Sequence, residues 1–163
     1  MGRRLINVVA ALAMVGTLLG AAPMSVLASS SGCRDTGYQV TYEVRANVTN
    51  ALVSRNTVRE RLHFCWTGSG FSAWVPGERF AHRDAGVVST VVYAQNDHDL
   101  WFSTYDKAME TQFKSTSLVC DHYVTIEIQA DQTDGLVNSM YRVGFVWSSC
   151  AQEHVVVTNS GPV

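Results

Sequence analysis

From Tyr38 onward apolar and polar residues alternate without a break. Tyr38, Val40, Tyr42, Val44, Ala46 and Val48 fall on one side, and Gln39, Thr41, Glu43, Arg45, Asn47 and Thr49 on the other. A period of two over that length predicts a half-buried β-strand. Asn50 to Asn56 reads as a connection. Thr57 to Trp66 alternates again, with Val58, Leu62, Phe64 and Trp66 on one face and Arg59, Arg61 and His63 on the other. The two stretches predict an antiparallel hairpin whose polar face sets Glu43 against Arg61.

The pattern continues in shorter pieces. Gly68-Ser69-Gly70 predicts a turn, and Phe71 to Val75 a short strand stopped by Pro76-Gly77. Glu78 to Gly86 is polar and predicts irregular chain. Val87 to Gln95 is apolar on both faces, the pattern of a central strand. Asn96-Asp97-His98-Asp99 predicts a turn, with a returning strand from Leu100 to Tyr105. Asp106 to Lys114 fits a short helix with Asp106 as N-cap. Tyr123 to Ala130 is a strand with Val124, Ile126, Ile128 and Ala130 inward. Thr133-Asp134-Gly135 turns the chain, and Val137 to Ser148 runs back with Tyr141, Val143, Phe145 and Trp147 on one face. Glu153 to Thr158 closes the series. About seven to eight strands at this spacing predict one all-β domain, an antiparallel β-sandwich.

The N-terminal part belongs to a different regime. Arg3 and Arg4 precede an almost wholly apolar run from Leu5 to Leu19, Pro23 breaks it, and Val26-Leu27-Ala28 offers small residues for cleavage. Residues 1–28 therefore read as a secretory signal peptide, and 29–163 as the exported domain, with a Ser- and Gly-rich flexible lead over residues 29–36. The apolar run is shorter than the roughly 20 residues a membrane span needs, so no integral membrane segment is expected after cleavage. The whole chain of 163 residues carries 12 Lys and Arg against 14 Asp and Glu. Loss of Arg3 and Arg4 makes it more acidic still, which argues against nucleic acid as a partner.

Cys33, Cys65, Cys120 and Cys150 all lie beyond the leader, and an even count in an exported chain predicts two disulfides. Cys120 and Cys150 bracket the hairpin that turns near Gly135, and Cys33 and Cys65 bracket the first hairpin. The economical pairing is 33–65 with 120–150, each closing a loop of about 30 residues worth on the order of 3–4 kcal/mol. A lipid on Cys33 is the rival, although Ser30 stands where lipoprotein signals carry Leu.

Chemistry is sparse. The sequence holds no Gly-x-Ser-x-Gly elbow, His-Glu-x-x-His pair, phosphate loop or dinucleotide fingerprint, and no cofactor is expected. The cysteines are spaced for disulfides rather than for zinc, whose ligands usually come in pairs about two to four residues apart, and the Asn96–Asp99 cluster lacks the glycine and further ligand of a calcium loop, so no metal is expected. Glu60 falls on the apolar face of its strand between Val58 and Leu62. A buried carboxylate needs a partner, and Arg142, which also interrupts its strand's pattern, is the candidate. Trp101 and Tyr105 are placed on one face of the Leu100–Tyr105 strand, with Trp74 near the Pro76-Gly77 turn. These three are the candidate ligand-binding residues, since Trp and Tyr anchor sugars and proteins alike. Asn47-Val48-Thr49 fits a glycosylation sequon.

These features predict a secreted, non-catalytic binding module acting at the cell surface or in the medium, its partner an extracellular polymer or protein. A small hydrolase using Glu60 with His63 or His82 is the second expectation, and an inhibitor of secreted proteases the third.

Overall fold

A computed structural model describes residues 30–86, 89–101, 104–117, 120–145 and 150–163. The leader and the Trp147 end of the expected seventh strand lie outside these residues. The described chain is all β: β1 (Gly32–Ala46), β2 (Leu52–Trp66), β3 (Phe71–Gly86), β4 (Ser89–Asp99), β5 (Lys107–Thr116), β6 (Asp121–Ala130), β7 (Val137–Phe145) and β8 (Glu153–Pro162). They form two antiparallel four-stranded sheets, ordered β3-β2-β1-β8 and β4-β5-β6-β7. Among the described residues no helix is long and apolar enough to cross a membrane.

The two sheets face each other through the alternating positions read from sequence. Val40, Tyr42 and Val44 of β1 and Val58, Leu62 and Phe64 of β2 meet Met109 and Phe113 of β5 and Val124, Ile126, Ile128 and Ala130 of β6, all essentially solvent-free. Each such large side chain contributes about 1.5–3 kcal/mol by leaving water. At one end Phe64 carries a cluster of Trp66, Phe71 and Trp74, with ring centroids 5.1–6.0 Å apart. Gly135 turns β6 into β7 at φ 69° directly against the Trp66 ring, where any Cβ would sit 2.5 Å from ring carbons.

Five local expectations change. β1 begins at Gly32, inside the expected lead, and ends at Ala46, so the connection is 47–51 and Val48 is exposed. That register sets Glu43 opposite Arg55, and Arg61 lies opposite Gly37. Glu43 takes Arg55 at 2.6 Å and Arg45 at 2.5 Å, and these guanidiniums hold its carboxyl below the usual range. β3 runs on through Glu78–Gly86, because pairing with β2 satisfies its backbone despite the polar sequence. The Val87–Gln95 stretch is not central: β4 is an edge strand, with Val91 and Tyr93 more than half exposed.

The last two changes concern the following segment. β4 continues through Asn96–Asp99, paired with Lys107–Glu110, so the turn falls at the expected Leu100–Tyr105 strand. The expected helix is β5, where Met109, Thr111, Phe113 and Ser115 are buried in period two. Of the two expected disulfides, Cys33–Cys65 is formed between residues directly opposed on β1 and β2. Cys120 and Cys150, both buried, are brought near each other.

Phe113 fills the centre of β5 with no solvent exposure. Phe113→Ala is expected to cost about 3–5 kcal/mol in urea unfolding. A loss below about 1 kcal/mol would contradict the assignment of this segment as a core strand.

Candidate functional site

Glu60 occupies the inward face of β2 with no exposed surface, as its place among Val58 and Leu62 predicts. Its partner is not Arg142. One carboxyl oxygen accepts a hydrogen bond from the Thr111 hydroxyl on β5 in the opposite sheet, and the other has no partner among the described residues. Arg142 lies exposed on the outer face of β7, paired with Glu110 and, at 2.8 Å, with Glu127. A break in the alternation marks an unusual residue without naming what it meets.

Burial pushes the Glu60 carboxyl up to about 8, against the opposing effects of the Thr111 hydrogen bond and Arg79. His63 and His82 do not join it. The His63 ring is bonded to Asp35 at 2.8 Å, and His82 lies 3.8 Å from Asp84, both with partly exposed rings. The expected acid–histidine pair is therefore not assembled.

The aromatic candidates also separate. Trp74 is half-buried, edge-on to Phe71 and tilted against Phe64, with the Lys107 ammonium 4.7 Å from its ring. It packs against the hydrophobic core. Trp101 is 83% exposed and, like Tyr105, lies in the β4–β5 connection, outside the strands formed by the described residues.

A concave site lies at the opposite end of the sandwich. The β1–β2 connection, the starts of β6 and β8 and the end of β7 enclose a cavity of about 500 Å³. Val143, Ala151 and Val155 supply apolar wall; Asn47, His122, Cys150, Glu153 and His154 supply polar groups. His122 is inward by strand parity, two residues before Val124 on β6, and is 1% exposed. Its Nε2 meets the Glu153 carboxylate of β8 at 3.3 Å, and Ser117 donates to the same oxygen at 2.8 Å. Its Nδ1 has no partner among the described residues.

At the rim the Asn47 side chain donates to the Ala151 carbonyl at 2.8 Å and contacts His154 Nδ1 at 2.6 Å. The sequon nitrogen is thus already engaged. Behind His122 the Cys120 and Cys150 sulfurs lie within 4.8 Å of each other and of an imidazole nitrogen. Burial and the hydrogen bond to Cys150 push the Cys120 thiol up to about 12.

No family model, curated protein or solved structure matches the chain. The cavity therefore stands on its geometry alone. Sequence reasoning missed His122 and Glu153. The available signal was His122 on the same parity as Val124, Ile126 and Ile128, a polar residue at an inward position.

The Glu60 environment sets a pH dependence. The folded-state value is raised above that of the unfolded chain, so the folded protein holds the extra proton at neutral pH. Its contribution is complete below the ordinary carboxylate value and is lost as pH rises through about 8. Between about pH 5 and pH 9 this amounts to a decline on the order of 4 kcal/mol. Glu60→Gln keeps the shape and removes the titration. Urea midpoints should therefore fall with rising pH in the native chain and stay level in the variant; parallel declines in both would show that Glu60 is not the titrating group.

Proposed function

We propose that the protein is an exported, non-catalytic binding module whose ligand seat is the cavity beside His122. The observation that carries this reading is the cavity itself, about 500 Å³ with buried polar groups at its floor and valines in its wall. Ligand sites are typically apolar concavities of about 300–1,000 Å³ with a few placed polar groups. Asn47 and His154 at the rim, with His122 and Glu153 beneath, supply the polar groups that orient a guest. This volume suits one residue-sized unit, such as a sugar or an amino-acid side chain, presented by an extracellular polymer or protein. Export is supported by the Arg3–Ala28 leader pattern and by the Cys33–Cys65 bridge, since disulfides persist in oxidising compartments. The geometry at Glu60, bonded to Thr111 and not to a histidine, lends the hydrolase reading no support.

The test is a thermal-shift screen with oligosaccharides and short peptides as probes, run on the native chain and on Ala151→Trp. Ala151 is exposed in the turn that precedes β8 and faces the cavity, so a large ring there fills the seat without touching the core. At least one probe class is expected to raise the melting temperature of the native chain, because a ligand that binds only the folded state stabilises it. That shift should vanish in Ala151→Trp. No shift with any probe, or an equal shift in the filled variant, would overturn the assignment of the seat.

A further inference from the structure

We propose that Cys120, His122 and Cys150 form a binding site for a borderline-soft d¹⁰ metal ion, Zn²⁺ being the ion that fits two thiolates and one imidazole. This inference goes beyond the binding reading above and stands without it.

Three observations carry it. The first is proximity. The Cys120 and Cys150 sulfurs and one His122 ring nitrogen lie within 4.8 Å of one another, so each is at most about 2.8 Å from a common centre. Zinc bonds of about 2.3 Å to sulfur and 2.0–2.1 Å to nitrogen require only a small inward adjustment. The second is His122 Nδ1, which has no partner among the described residues, on a side chain with 1% exposure. A buried polar atom without a partner costs about 1–3 kcal/mol, and a metal ion satisfies a nitrogen that accepts. The third is Glu153. Its carboxylate lies 3.3 Å from Nε2, where it accepts that N–H and leaves Nδ1 as the nitrogen with a lone pair to give. Ser117 fixes the carboxylate in turn. A carboxylate behind a ligating histidine is the usual outer partner of zinc sites, setting the tautomer and the ring orientation.

A disulfide between Cys120 and Cys150 is the competing fate of the sulfurs. It uses both but leaves Nδ1 still without a partner, whereas a metal ion satisfies all three atoms. Metal binding converts the two thiols to thiolates and releases their two protons to solvent; the ion's double charge offsets the two thiolates, so no net charge is buried. Three protein ligands leave a fourth tetrahedral position for water or a guest, and His122 and Cys150 both line the cavity.

The experiment uses the full exported chain, isolated without chelator or reductant. Intact mass before and after alkylation is expected to show a single bridge, Cys33–Cys65, with Cys120 and Cys150 as thiols. Elemental analysis is expected to find Zn²⁺ at one per chain. After the ion is stripped, Co²⁺ alone should restore one equivalent with thiolate charge-transfer and tetrahedral d–d absorption, displaced by Zn²⁺. Cys120→Ser and Cys150→Ser should each abolish the charge-transfer pattern of the two-thiolate site, with folding checked by circular dichroism. Glu153→Gln keeps every ligand, so it tests the site even if a cysteine variant fails to fold. It should weaken Zn²⁺ binding about 10- to 100-fold. A second bridge joining Cys120 to Cys150 in the isolated chain, or no cobalt bands in the native sequence, would overturn the site. Neither result bears on the Ala151→Trp screen, which reads occupancy of the cavity by organic probes.

Discussion

Hydrogen bonds that cross the core from one sheet to the other hold the two layers in a single alignment. Tyr42 of β1 meets Ser115 of β5, Glu60 of β2 meets Thr111 of β5, and Thr90 of β4 donates to Asn56 of β2 at 2.7 Å. His122 of β6 and Glu153 of β8 complete the set. The apolar side chains around them favour closure, but hydrophobic attraction is non-directional and would accept several offsets between the sheets. The polar pairs do not. Sliding one sheet by a residue pair would strand several of these groups at once, each at about 1–3 kcal/mol. Alignment is thereby specified by a few directional contacts set within a larger apolar area.

The two ends of the sandwich inherit their geometry from that alignment. His122–Glu153 is itself one of the cross-sheet bonds, so the floor of the cavity is a product of how the layers meet. Its walls depend on the same offset: Val143 comes from one sheet and Val155 from the other. At the far end the Gly135 turn of one sheet rests on Trp66 of the other, a contact that only a residue without a side chain allows. Trp101 belongs to that far end, as the β4–β5 connection precedes Lys107, whereas the cavity lies where β5 has passed into β6. An exposed aromatic and a concave seat are thus separated by the length of a strand.

How much of this was legible depends on how each inward position is filled. β1 from Tyr38 to Ala46 and β6 from Val124 to Ala130 read cleanly because their alternating inward residues are apolar. β5 did not, because Thr111 and Ser115 are inward and polar, while Glu110, Gln112 and Lys114 between them suit a helix. Their inward placement makes sense only once Glu60 and Tyr42 of the other sheet are there to meet them. β4 failed in the opposite sense. Val91, Val92 and Tyr93 gave both faces apolar character, which ordinarily marks a covered strand, yet among the described strands β4 borders β5 alone. His122 and Glu153 were hidden for the same reason as Thr111: the partner of each lies on a different sheet, and a single strand's periodicity carries no information about it.

The cysteine pairs show why local spacing alone could not decide their roles. Both pairs have a histidine nearby in sequence, His63 before Cys65 and His122 after Cys120, and in both the histidine and two sulfurs lie within 4.8 Å. Their surroundings differ. Cys33 and Cys65 face each other across neighbouring strands of one sheet, their sulfurs joined, and the His63 Nδ1 is bonded to Asp35 with its ring partly in solvent. Cys120 leads into β6 and Cys150 precedes β8, so the pair spans the two sheets and is sealed from water. His122 enters the same enclosed space with one nitrogen assigned to Glu153 and the other unassigned. The similar triads thus meet different demands. In a wet setting the sulfurs need only each other, and they staple a hairpin. In a dry setting with an orphaned imidazole nitrogen, the demand extends to a third atom, which a sulfur–sulfur bond cannot reach.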